Sequence, residues 1–163
     1  MELVIDANIL ISGIITPGRV RRTLLDKRIK PHAPLKIIQE TINHADKISK
    51  YTGIPVEILK PILQQALPKW ITTHNEEEIP EEIRMKAKEI AGRFDPDDWP
   101  FIALAMFLNI PLWTGDKGIL EQAAKTGFKH FTAIDTEGVE MLLNGEPLER
   151  VKEKIREKYG SQI

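Results

Sequence analysis

The sequence predicts one α/β domain: an open, mainly parallel sheet covered by helices on both faces. Three observations carry that prediction. Short apolar runs suited to strands buried on both sides alternate with stretches of helical periodicity, no Asn-Gly turn joins two apolar runs, and aspartates close several of the runs. With 163 residues and 42% hydrophobic content, the chain is long enough for one substantial core and hence for one principal site.

Leu3-Val4-Ile5 reads as the first buried strand, and Asp6-Ala7-Asn8 opens a helix running to Ile14. Pro17-Gly18 breaks the chain before a short helix over 20–25, whose surroundings carry Arg19, Arg21, Arg22, Lys27, Arg28 and Lys30. Residues 30–34 are extended, and Leu35, Ile38, Ile42 and Ala45 then recur at helical spacing. A helical hairpin region follows, punctuated by Pro55 and Pro61, with 70–73 as an extended return. Helix 81–91 ends at Gly92, and Asp95-Pro96-Asp97-Asp98-Trp99-Pro100 leads into the apolar helix 101–108. The next strand is 110–114, weakened by Pro111, and Gly115-Asp116-Lys117-Gly118 turns it into helix 119–125. A last strand over 130–134 meets an Asp135-Thr136 cap and a helix reaching Leu143, and Leu148, Val151 and Ile155 stripe a final helix over 147–159.

Composition removes several chemistries. Without cysteine there is no disulfide framework, zinc ribbon or thiol nucleophile, so any metal is held by oxygen or imidazole. Lys and Arg total 23 against 24 Asp and Glu, so binding of a polyanion has to come from local clustering. The start, Met1-Glu2-Leu3-Val4-Ile5-Asp6, carries no basic leader, and no run approaches the roughly 20 apolar residues of a membrane span, which together lead us to expect a soluble cytoplasmic protein.

In a parallel sheet, ligands bind beyond the carboxyl ends of the strands, where Asp6 and Asp116 emerge. Asp98 opens the helix that feeds the Asp116 strand, so helix plus strand returns the chain to the same edge. Converging carboxylates repel one another unless a cation compensates or one keeps a proton, and hard oxygen donors suit Mg²⁺ or Mn²⁺.

Val4-Ile5-Asp6-Ala7-Asn8-Ile9-Leu10, Glu40 in its helix, Asp97-Asp98 ahead of Phe101-Ile102-Ala103-Leu104-Ala105, and Trp113-Thr114-Gly115-Asp116 together resemble the PIN-domain ribonucleases. The resemblance spans residues 1 to about 143 and rests on four acids in order and setting rather than on one short motif. It implies a PIN-like three-layer α/β/α sandwich with a central, mainly parallel sheet. It also implies Asp6, Glu40, Asp98 and Asp116 as the catalytic, metal-holding acids, supported by Asn8 and Thr114, with Asp95 and Asp97 as substitutes for Asp98. The implied reaction is Mg²⁺- or Mn²⁺-dependent endonucleolytic hydrolysis of RNA that leaves a 5′-phosphate. A nuclease domain over 1–145 would then carry additional helical material around 50–79, and 146–163 would pack on the same domain or serve dimerisation. The additional helices set the chain apart from the compact toxins of toxin/antitoxin pairs. An antitoxin, another protein partner and a homodimer therefore all stay open.

Other readings compete residue by residue. Asp6 and Asp98 both suit helix caps, Glu40 rests on the resemblance, and Asp135 reads as a cap outside the site. Arg19, Arg21 and Arg22 either form a solvated face or grip RNA phosphates beside the acids. The four histidines show no zinc spacing, and Trp99 and Trp113 read as core. A phosphatase that works through paired aspartates needs a second one where Asn8 stands, a phosphoacceptor receiver needs an acidic pair after the first strand, and a dinucleotide enzyme needs a Gly-x-Gly-x-x-Gly that is missing. A catalytically inactive PIN-like domain kept for RNA binding or assembly is the non-enzymatic alternative.

Overall fold

The computed structural model describes residues 1–93 and 95–160. Five short strands, β1 (Glu2–Ile5), β2 (Lys30–Pro34), β3 (Thr72–His74), β4 (Leu112–Trp113) and β5 (Ala133–Ile134), form one sheet in the order β3-β2-β1-β4-β5, with every pairing parallel. Leu3, Val4 and Ile5 are wholly buried because β1 lies in the middle of the sheet with both faces covered, which is why its sequence is an unbroken apolar run. The result is the α/β/α sandwich expected from the sequence.

Ten helices surround the sheet among the described residues: α1 (Ala7–Ile15), α2 (Arg19–Leu24), α3 (Lys36–Asn43), α4 (Ala45–Thr52), α5 (Val56–Trp70), α6 (Glu81–Ala91), α7 (Trp99–Leu108), α8 (Lys117–Lys125), α9 (Thr136–Leu143) and α10 (Leu148–Ile155). None is long and apolar enough to cross a membrane. The chain leaves β1 in one direction to build β2 and β3, and returns on the other side to build β4 and β5. The sheet therefore reverses its order between β1 and β4, and in open parallel sheets ligands bind at such a switch point, beyond the carboxyl ends of the strands. In register, Ile5 pairs with Trp113, so the residues following each strand emerge side by side.

Several elements differ from the sequence expectation for physical reasons. The periodic stretch after Leu35 is two helices, because the chain turns at His44 between α3 and α4. Pro61, expected as punctuation, lies inside α5 together with Pro68. Each proline removes one backbone bond, but Leu59, Leu63 and Leu67 bury one side of the helix and tertiary packing carries it through. Pro111 ends just outside β4 and still contributes its carbonyl, which accepts from Val4 N at 2.9 Å. The last strand is shorter than expected, two residues rather than five.

The C-terminal stretch packs on the sheet's β5 side: Val151 and Ile155 are fully buried, and Lys158 Nζ and Tyr159 Oη donate to Asp135 Oδ2 at 2.9 and 3.1 Å. Residues 161–163 of the expected 146–163 segment lie outside the described residues.

Candidate active site

Asp6 leaves β1 and caps α1, its Oδ1 accepting from Ile9 N at 2.8 Å. Asp116, just after β4, caps α8 in the same way, its Oδ1 accepting from Ile119 N at 3.1 Å. Thr114, fully buried between them in sequence and space, ties the two acids together: its hydroxyl donates to Asp6 Oδ2 and accepts from Asp116 N. One side chain thus bonds the carboxylate of Asp6 and the backbone of Asp116.

Asp98 settles differently from the cap that the sequence suggested. It occupies the N-cap position of α7 but makes no side-chain capping bond. Capping of the preceding 3₁₀ turn over Pro96–Asp98 falls to Asp95, whose Oδ1 accepts from Asp97 N at 3.0 Å. Asp98 is therefore the member of this acidic run that is free to face the other acids, whereas Asp95 is held as a cap and Asp97 is exposed.

The electrostatics record the convergence. Burial is the main cause that raises the Asp98 carboxyl to about 7, with the charges of Asp95, Asp6, Asp116 and Glu40 adding to it. Burial likewise raises Asp6 to about 6, the hydrogen bonds from Thr114 and Ile9 oppose the rise, and the charge of Asp116 adds to it. Asp98 thus feels the charges of Asp6, Asp116 and Glu40 as well as that of its neighbour Asp95, and Asp6 feels that of Asp116.

Lys36 was not anticipated. Its ammonium lies 2.9 Å from Glu40 Oε1 and donates to the Asp97 carbonyl at 2.9 Å, binding α3 to the turn that carries Asp98. Only the four-residue spacing of Lys36 and Glu40 hinted at this contact, and such spacing occurs on most helix surfaces.

Among the described residues, no three Asp, Glu or His side chains already stand arranged to hold one ion. The donor chemistry nevertheless fits a hard divalent cation. The groups are carboxylate oxygens, two are pushed up by burial and by neighbouring charges, and their present partners are backbone amides, the Thr114 hydroxyl and one ammonium. Asn8 is exposed two residues beyond Asp6, and its backbone amide supports the Asp6 carboxylate.

Arg19, Arg21 and Arg22 are not part of this group. The nine residues of α1 carry the chain back about 13 Å, and the segment after α2 reaches the opposite edge of the sheet, where the Met1 ammonium donates to the Arg28 carbonyl. Arg21 Nε and Nη2 donate to the carbonyls of Gly13 and Ile14 at 2.8 Å each and so close the end of α1, while Arg19 pairs with Glu140. Nearness to Asp6 in sequence does not become nearness in space. Trp113 is fully buried, Trp99 is partly buried under Lys88, and His32 and His74 form a stacked, hydrogen-bonded pair at the β2–β3 side.

The raised carboxyls make a pH prediction. Asp6 and Asp98 bind a proton more tightly in the folded chain than at the ordinary carboxylate value of 3.8, so their contribution to stability is complete below about pH 4 and is lost as pH rises through about 6 and 7. For Asp6 the loss is on the order of 2–3 kcal/mol. Melting curves in chelator should therefore show the Asp6→Asn variant with a shallower fall between pH 4 and 7 than the parent; parallel curves would contradict the assignment.

Residues 4–156 match the model of a family described as PIN domain. Among curated proteins no match is found.

Proposed function

We propose, since the chain belongs to the PIN-domain family, that it is a divalent-metal-dependent endoribonuclease acting through Asp6, Glu40, Asp98 and Asp116. PIN domains are generally nucleases that use divalent metals, and the observation supporting this reading for the present chain is that Asp98 feels the charges of Asp6, Glu40 and Asp116 where the sheet order reverses between β1 and β4. Mg²⁺ or Mn²⁺, when bound, supplies activation of water at neutral pH and neutralisation of charge building on the phosphate.

The chain's own residues do the rest. Asp6 and Asp116 are held by helix caps, and the Thr114 hydroxyl bonds the Asp6 carboxylate and the Asp116 backbone amide, so both strand-end acids have fixed positions. Asp98, free of any capping bond, is the carboxyl able to accept or return a proton at its Oδ atoms. Glu40 is kept at the rim by Lys36, whose ammonium also offsets part of the cluster's negative charge before substrate arrives. No side-chain nucleophile is required.

The purified chain should cleave a mixed single-stranded RNA substrate in Mg²⁺ or Mn²⁺ and leave 5′-phosphate ends, with cleavage abolished by chelator. Binding that persists in chelator without any cleavage on adding metal would instead support an inactive RNA-binding or assembly domain.

A further inference from the structure

We infer that single-stranded RNA flanking the cleaved bond lies in the groove between α1 and α4, with a base stacked on Tyr51 and a phosphate on Lys47. This rests on the ribonuclease reading above and assigns a substrate path beyond the acids. The groove, about 400 Å³, has Asn8 and Ser12 of α1 and its C-cap Thr16 along one wall and Lys47 and Tyr51 of α4 along the other, over an apolar floor that includes Ile11.

One wall begins beside Asp6, whose carboxylate accepts from the Asn8 amide. Asn8 is two residues beyond Asp6, and Lys47 is reached from Glu40 through the α3–α4 turn, which His44 Nδ1 braces by donating to the Glu40 carbonyl at 2.8 Å. A strand whose phosphate sits at Asp6 thus meets the groove at Asn8.

The lining chemistry selects the occupant. Asn8 and Ser12 share an exposed face of α1, and with the exposed C-cap Thr16 they present amide and hydroxyl groups suited to sugar and phosphate oxygens. Lys47 is exposed, and among the described residues the lining includes no carboxylate, so a polyanion entering here meets attraction only after it leaves the acid cluster. Tyr51 is 60% exposed, an unusual position for a large ring and one that leaves a face open for a base. Stacking on one ring needs an unpaired base, which favours single strands over duplex.

The test uses the whole chain in chelator, where no cleavage intervenes, and fluorescence anisotropy of a labelled single-stranded RNA oligomer. Tyr51→Ala should weaken binding on the order of ten-fold, and Tyr51→Phe, which keeps the ring, should bind within about two-fold of the parent. Lys47→Gln should weaken binding and reduce the slope of log K against log salt by about 0.7, the signature of one lost phosphate contact to a single strand. Both positions are exposed, so loss of fold does not confuse the result. Unchanged binding by Tyr51→Ala and Lys47→Gln overturns the groove, including the case in which a protein is its true occupant, and so does duplex RNA competing as well as single strand. A parent that cleaves RNA while both variants bind normally loses the groove alone. A parent that binds through Tyr51 but never cleaves with metal keeps the groove and loses the nuclease reading.

Discussion

The Asp6→Asn protein is expected to cleave RNA roughly 10²–10⁴-fold more slowly than the parent in Mg²⁺ or Mn²⁺, because the several kcal/mol that a cation contributes to phosphate transfer depend on its ligands. The same protein is expected to melt later than the parent at pH 7.5 in chelator. Asp6 is only 7% exposed, burial lifts its carboxyl to about 6, and the neighbouring Asp116 charge adds to the rise. At pH 7.5 the folded parent therefore carries a buried charge that the asparagine removes. The cap survives, since an asparagine oxygen accepts from Ile9 N as the carboxylate does, and asparagine is among the strongest N-cap residues.

Activity lost and stability gained by one atom exchange would mark Asp6 as a group retained for its charge. Divalent cation separates this from a general packing effect. A ligand present at a hundred times its dissociation constant stabilises by about 2.7 kcal/mol, so Mn²⁺ should raise the parent's melting temperature and leave the variant's almost unchanged. Equal shifts in both proteins, or cleavage by the variant at the parent's rate, would remove Asp6 from the metal-holding set.

The central part of this arrangement was legible in the sequence because burial on both faces leaves a plain mark. Leu3, Val4 and Ile5 form an unbroken apolar run up to Asp6, so the end of β1 and its acid could be read directly, whereas the strand read over 110–114 proved to be Leu112–Trp113 alone. The roles within the acidic run 95–98 could not be read, since three aspartates in four residues compete for one cap and only backbone geometry decides that Asp95 takes it and Asp98 stays free. The arginines show the reverse case: their charge was evident, but proximity in sequence was taken for proximity in space, and a nine-residue helix is long enough to carry the chain towards the other edge of the sheet. Lys36 was invisible because its decisive contact, the Asp97 carbonyl, is 61 residues away. Pro61 misled through a rule about local propensity that three buried leucines on α5 override.

Thr114→Val tests whether the two strand-end acids are a coupled pair or two independent caps. Valine matches the shape of threonine and keeps its β-branched fit to a buried strand end, but it has no hydroxyl to give or receive. Asp6 Oδ2 loses its donor and the Asp116 amide loses its 3.0 Å acceptor, in a position with no solvent exposure. Each unmade bond at a buried polar group costs about 1–3 kcal/mol, so a loss of roughly 2–5 kcal/mol in denaturant unfolding at pH 7.5 is expected. Thr114→Ser keeps both hydrogen bonds and gives up one methyl group, a change nearer 1 kcal/mol. Cleavage under saturating Mn²⁺ should follow the same ranking, serine near the parent and valine well below it, because the hydroxyl fixes where both carboxylates stand. Much of the valine deficit should vanish in an Asp6→Asn background, where no buried charge is left without its donor. If the two substitutions add independently, Thr114 acts on Asp6 and Asp116 separately, and the spacing of the pair is set by α1 and α8 alone.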